Sequence, residues 1–128
     1  MATLIYLDTH TVVWLYAYGR SGVSEQGAEW IEEAEALRVS PMVRLELQYL
    51  WEIERVSEQP MVVLDALGAA LGLALCDAPF PAVVREAEVV SWTRDPFDRM
   101  IVAQAALFDA PLLTRDHSIH AHYAHAVW

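Results

Sequence analysis

Four acidic residues stand where apolar segments begin, end or are interrupted: Asp8, Glu46, Asp98 and Asp116. Asp8 closes the run Thr3-Leu-Ile-Tyr-Leu7, and Asp116 follows Pro111-Leu-Leu-Thr-Arg115. Glu46 interrupts Met42-Val-Arg-Leu-Glu-Leu47, and Asp98 opens the apolar segment from Met100 to Phe108. Carboxylates are costly to gather in one place unless a cation holds them. A fold that collects these four therefore suits metal-dependent phosphodiester chemistry.

Each acid also has a purely local explanation. Asp8 can cap the helix that follows it, and Asp116 can be an ordinary turn aspartate. In Asp95-Pro96-Phe97-Asp98 the first aspartate suits an N-cap, proline the first helical position, and Asp98 the third, where it favours the helix dipole. Glu46 is the most informative. On a helical wheel Met42, Leu45, Tyr49, Leu50 and Ile53 form an apolar face with Glu46 near its middle. A glutamate there needs an arginine partner, a proton or a metal.

The elements that must position these acids follow from turn and capping signals. A short strand is expected over residues 3–7, then a helix from His10 to Tyr18 ending at Gly19. The turn Gly19-Arg-Ser-Gly22 leads to Ser24, an N-cap for an amphipathic helix over 25–36. Leu37-Arg-Val39 reads as a second strand. Ser40-Pro41 starts a helix to about residue 55, and Ser57 with Pro60 starts another over 60–71 that stops near Gly72. A third strand is expected at 73–76, helices at 81–90 and from Pro96 to 108, and strands at 112–114 and 126–128. Short apolar strands alternating with helices indicate a parallel sheet in an α/β layer fold. Such sheets bind ligands beyond the carboxyl ends of their strands, where Asp8 and Asp116 fall and where the helices carrying Glu46 and Asp98 begin.

Composition narrows the chemistry. A chain of 128 residues, 55% hydrophobic, is read as one domain over 1–128. No apolar run reaches the roughly 18 residues of a membrane span, and no basic stretch followed by a long apolar run suggests a secretory signal. A single cysteine, Cys76, suits a reducing cytoplasm. The formal net charge is −10, and all eight basic residues are arginine. With no lysine, phosphate-loop NTPases, phosphoaspartate phosphatases and receiver domains are disfavoured. No G-x-G-x-x-G loop is present. Glu25, Glu29, Glu32, Glu33 and Glu35 concentrate much of the acidity on one solvated helix face. His117, His120, His122 and His125 invite a zinc reading, but their spacing fits no standard site. Trp14, Tyr16, Tyr18, Trp30, Tyr49 and Trp51 divide between core and a dimer or partner surface.

The motifs Leu7-Asp-Thr-His10, Ser40-Pro-Met-Val-Arg-Leu-Glu46, Arg94-Asp-Pro-Phe-Asp-Arg99 with Ala103-Gln-Ala105, Pro111-Leu-Leu-Thr-Arg-Asp116 and Val127-Trp128 run along nearly the whole chain. In this order they resemble the PIN-domain ribonucleases, particularly VapC-type toxins of toxin–antitoxin pairs. The resemblance implies an α/β/α sandwich with a central parallel sheet of four to five short strands. It assigns the acidic active site to Asp8, Glu46, Asp98 and Asp116, and it implies Mg²⁺ or Mn²⁺, RNA cleavage, a homodimer and an antitoxin partner. Asp95 matches an extra acid of this subgroup. Thr9, Ser40 and Thr114 match small polar positions that orient water or carboxylates. Arg44, Arg94, Arg99 and Arg115 flank the acidic motifs and are expected to form a small basic rim, since arginine grips phosphate bidentately.

All-oxygen ligands favour a hard cation over zinc. Asp8, Asp98 and Asp116 are expected to hold it, with Glu46 orienting water or joining the shell. The rival readings are a non-catalytic PIN-like module that binds RNA or a partner, and a small-molecule phosphatase.

Overall fold

The computed structural model describes residues 3–128. Five strands, β1 (Leu4–Leu7), β2 (Ala36–Val39), β3 (Ala74–Leu75), β4 (Leu112–Leu113) and β5 (Ala126–Val127), form one sheet in the order β3-β2-β1-β4-β5. Every pairing is parallel. Leu4 lies opposite Ala36, Tyr6 opposite Leu112, and Leu113 opposite Val127. Ile5, Tyr6 and Leu7 are 0%, 2% and 0% exposed. Successive strand residues face opposite sides, so helices must cover both faces of the sheet. Those helices are α1 (Thr9–Tyr18), α2 (Glu25–Glu33), α3 (Pro41–Glu52), α4 (Pro60–Leu71), α5 (Phe80–Glu88), α6 (Pro96–Ala106) and α7 (His117–His122). The fold is the expected α/β sandwich with a central parallel sheet.

Helix starts follow the sequence signals closely. Ser24 accepts from the Gly27 N–H, Ser40 from Met42 and Asp95 from Phe97, each satisfying a donor that the first turn leaves unpaired. Gly72 closes α4 in the left-handed region at φ 71°, where glycine carries no steric penalty. Ser57 does not cap α4; Gln59 occupies the cap position without a side-chain bond, and Pro60 alone sets the start.

Other expectations are corrected. The second helix stops at Glu33, not 36, because Ala36 is already paired with Leu4 in the sheet. The third stops at Glu52, and Glu54 follows at φ 61°. Its buried face is Val43 and Leu47, whereas Leu45, Tyr49 and Ile53 are 54%, 49% and 44% exposed. Apolar residues nearly encircle α3, so its register is fixed by packing against α1, α4 and α6 rather than by one polar stripe. Gly19–Gly22 forms a 3-10 turn, and α7 was not anticipated, six residues being too few to show periodicity.

The consequence for function lies at β1. It is central, with β2 on one side and β4 on the other, so the chain order reverses there. Open parallel sheets leave a crevice at such a reversal, beyond the carboxyl ends of the strands. Asp8 follows β1 and Thr114 follows β4 at that edge.

Candidate functional site

Asp8 is only 9% exposed, yet both of its oxygens are matched. Oδ1 accepts from the Thr9 N–H at 2.8 Å and Oδ2 from the Thr114 hydroxyl at 2.7 Å. The residue thus caps α1 and ties it to the end of β4. Thr9, fully buried, holds a second acid as well, since its hydroxyl donates to Glu46 Oε1 at 2.5 Å. No arginine pairs with Glu46 among the described residues; a hydroxyl from the neighbouring helix holds it instead. Asp116 caps α7 through Oδ1, which accepts from the Ile119 N–H at 3.0 Å. Its own N–H donates to the Thr114 hydroxyl at 3.1 Å. Asp98 lies in the first turn of α6.

The acids act on one another electrostatically. Burial raises Asp98, and the charges of Asp95, Asp8, Asp116 and Glu46 push it further, to about 7. Glu46 is raised by burial, against the Thr9 hydrogen bond, with Asp8 and Asp95 adding to the rise. Asp8 is raised by burial despite its hydrogen bonds from Thr114 and Thr9, while Asp116 raises it and His10 draws it down. Among the described residues the only side-chain ion pair is Arg20–Glu32 on the surface, so no arginine is paired with any of these acids.

The other predicted residues divide. Ser40 and Asp95 cap their helices. Arg99 Nε donates to Thr93 O at 2.9 Å and Arg94 to Ser91 O at 2.7 Å, so both guanidiniums brace the loop before α6. Arg44 lines a separate shallow groove with Pro41, Leu45 and Met61. Of the expected basic rim, Arg115 directly precedes Asp116 and lies over Trp14, its guanidinium 5.9 Å from the ring centre.

Three supports escaped the sequence reading. The buried Thr11 hydroxyl donates to Leu113 O at 2.9 Å, and His120 Nε2 lies 2.7 Å from Thr114 O. Trp92 and His122 stack at 4.8 Å and 4°, joining the loop before Asp95 to α7 after Asp116. Three of the C-terminal histidines thus make packing or backbone contacts, His125 lying edge-on to Tyr123. A threonine three residues past the strand-end aspartate is a legible signal. The others depend on α7, which gave none.

Among the described residues, those gathered here offer carboxylate and hydroxyl oxygens, chemistry that fits a hard divalent cation. Among the described residues, no three His, Cys, Asp or Glu side chains converge closely enough to form one ion's shell. Hydrogen bonds from Thr114, Thr9 and the Ile119 N–H anchor Asp8, Glu46 and Asp116 where they stand. Glu46 Oε2, Asp116 Oδ2 and both Asp98 oxygens have no protein donor among the described residues, so they keep lone pairs for a ligand. A cleft of about 1040 Å³ lies elsewhere; Tyr16, Trp51, Glu54 and Val63 line it and none of the four acids does. The acids mark the chemistry better than cavity size, because a cation site is small and charged.

Comparison with known proteins gives a consistent answer. The PIN domain family model matches residues 5–125. Among solved structures, VapBC2 from Rickettsia felis bound to a DNA fragment from their promoter superposes with a TM-score of 0.68 at 18% identity, covering 93% of this chain and 92% of that one. A toxin–antitoxin complex from Klebsiella pneumoniae gives 0.66 at 15% identity, covering 97% and 96%. No functionally curated protein matches the chain.

Proposed function

The chain belongs to the PIN domain family, and from that premise we propose that it is a metal-dependent endoribonuclease, the toxin of a toxin–antitoxin pair. The observation that carries this reading is Asp98, raised to about 7 by burial and by four other acids with no paired cation. Such a cluster is unfavourable for folding alone and becomes favourable when a dication binds.

Asp8, Asp98 and Asp116 would hold Mg²⁺ or Mn²⁺, with Glu46 at its edge. A bound dication lowers the pKa of water and neutralises charge on the scissile phosphate. The chain's own residues supply orientation. Thr114 and the Thr9 N–H fix the Asp8 carboxylate, and the Thr9 hydroxyl fixes Glu46 with Oε2 left free. Glu46 Oε2 accepts the proton of the attacking water as its oxygen bonds to phosphorus. The P–O ester bond on the far side breaks, and the departing oxygen takes a proton from solvent. Ser40 sets the start of α3 and Asp95 that of α6, so both caps position acids without touching substrate.

The whole chain would act as one domain in the cytoplasm, as a homodimer. The antitoxin partner is proposed because both structural neighbours named above are toxin–antitoxin complexes. A second reading, a non-catalytic module that binds RNA or a partner, draws on the net charge of −10 without lysine. Purified Asp8→Asn and Asp98→Asn should fold normally and lose Mn²⁺-dependent, EDTA-reversible RNA cleavage. Full activity in either variant would overturn the assignment, and no cleavage by the parent protein would favour the second reading.

A further inference from the structure

An acidic nuclease must still grip a polyanion, and most of its arginines are committed elsewhere. Arg20 is paired with Glu32, Arg38 donates to Leu37 O, and Arg94 and Arg99 brace the loop before α6. Arg55 lines the large cleft with Glu52, Glu54 and Glu58. His10 acts electrostatically on Asp8 and Glu46, Arg115 directly precedes Asp116 in the chain, and both are exposed. They share a neighbour. The His10 ring lies 5.9 Å from the half-buried Trp14 ring at 43°, and the Arg115 guanidinium lies over Trp14 at 5.9 Å. Trp128, following β5, meets Trp14 edge-on at 5.9 Å and 74°, which holds the indole in place.

We propose that Trp14, Arg115 and His10 form a nucleobase-stacking shelf for the RNA nucleotide next to the scissile phosphate; this rests on the ribonuclease reading above. The position follows from the chain. His10 adjoins Thr9, which holds Asp8 and Glu46, and Arg115 adjoins Asp116, so the shelf borders the acids on two sides. Its chemistry suits an unpaired base. An indole face stacks on any base, and a guanidinium stacks on the base plane while reaching phosphate. At 5.9 Å Arg115 sits at the outer reach of a cation–π contact, so an exposed side chain need swing only slightly to admit a flat ring. Stacking is largely uncharged, so it adds affinity where the surrounding acidity opposes it.

The test measures binding of a labelled single-stranded RNA to full-length Asp98→Asn protein by fluorescence anisotropy, with cleavage switched off. Adding Trp14→Leu should weaken binding by about tenfold to a hundredfold. Adding Arg115→Gln, an exposed change that removes the guanidinium over Trp14, should also weaken it and reduce the salt dependence by about one phosphate contact. In the Asp98→Asn protein, one abasic position beside the cut should weaken binding, and Trp14→Leu should erase that sensitivity. Unchanged affinity in the folded Trp14→Leu and Arg115→Gln variants overturns the shelf, as does undetectable RNA binding by Asp98→Asn protein. Failure of the ribonuclease reading shows separately, as intact RNA after incubation of the parent protein with Mn²⁺.

Discussion

The Thr9 hydroxyl donates a 2.5 Å hydrogen bond to Glu46 Oε1, while the N–H of the same residue donates to Asp8 Oδ1 at 2.8 Å. One fully buried threonine therefore fixes two acids from different elements. Thr9→Val keeps the shape and removes the hydroxyl, leaving Glu46 half-buried without its donor. Cleavage should fall by about tenfold to a hundredfold, the usual loss when a residue orienting a metal-binding group is removed. Thr9→Ser should stay within a few-fold. Equal activity of the valine and serine variants in Mn²⁺ assays would show that the hydroxyl is dispensable.

That relationship also marks how far the sequence could be read. Asp8, Asp98 and Asp116 were legible because strand ends and helix starts carry local signals: an apolar run, a proline, a cap. Glu46 was singled out for the wrong face. The wheel set it among Leu45, Tyr49 and Ile53, all of which are exposed, whereas its partner is Thr9, 37 positions away. Contacts of that kind depend on the reversal of strand order at β1, which no local pattern reports. Helix α7 was hidden for a different reason: its histidines suggested metal chemistry, and its only buried residue is Ile119.

Stability should depend on pH and metal in a linked way. Asp98 is raised from 3.8 to about 7 in the fold, so between those values the folded chain binds a proton that the unfolded chain has released. Its contribution to stability is full below the unfolded value and is lost as pH rises through about 7. Asp8 and Glu46 are raised in the same direction. Metal-free protein should therefore melt at lower temperature at pH 8 than at pH 5, and Asp98→Asn should flatten the slope. Mn²⁺ should stabilise more at pH 8, because ligands must lose their protons to bind. Calorimetry with EDTA and with Mn²⁺ decides it; metal-free stability that climbs with pH would contradict the clustering.

Gly22 is required by space. A Cβ there would collide with the backbone carbonyl of Trp14, and a carbonyl in mid-helix has nowhere to move. Gly22→Ala should cost about 1–3 kcal/mol, the usual range for overpacking. Because the strain falls on the α1 backbone that carries Trp14, RNA affinity should drop along with the denaturation midpoint. A variant as stable as the parent would mean that the 3-10 turn can shift away from α1 without penalty.

Gln104 offers a gain. It is 2% exposed on α6 among the buried Ile101, Val102, Ala103 and Ala105, and its Nε2 has no hydrogen-bond partner among the described residues. A buried unpaired amide costs about 1–3 kcal/mol, and replacing it with an apolar group of similar shape removes that cost. Gln104→Met keeps the length and flexibility of the side chain, so α6 need not move and Asp98 at its start stays in place. The variant should melt about 3–6 °C higher, as expected for a chain of this size gaining on the order of 1–2 kcal/mol. RNA cleavage should be unchanged, since the Gln104 amide nitrogen makes no hydrogen bond to any of the acids. A lower melting temperature with reduced cleavage would instead show that the amide serves the site, making the Ala103-Gln-Ala105 segment part of the machinery rather than a packing defect.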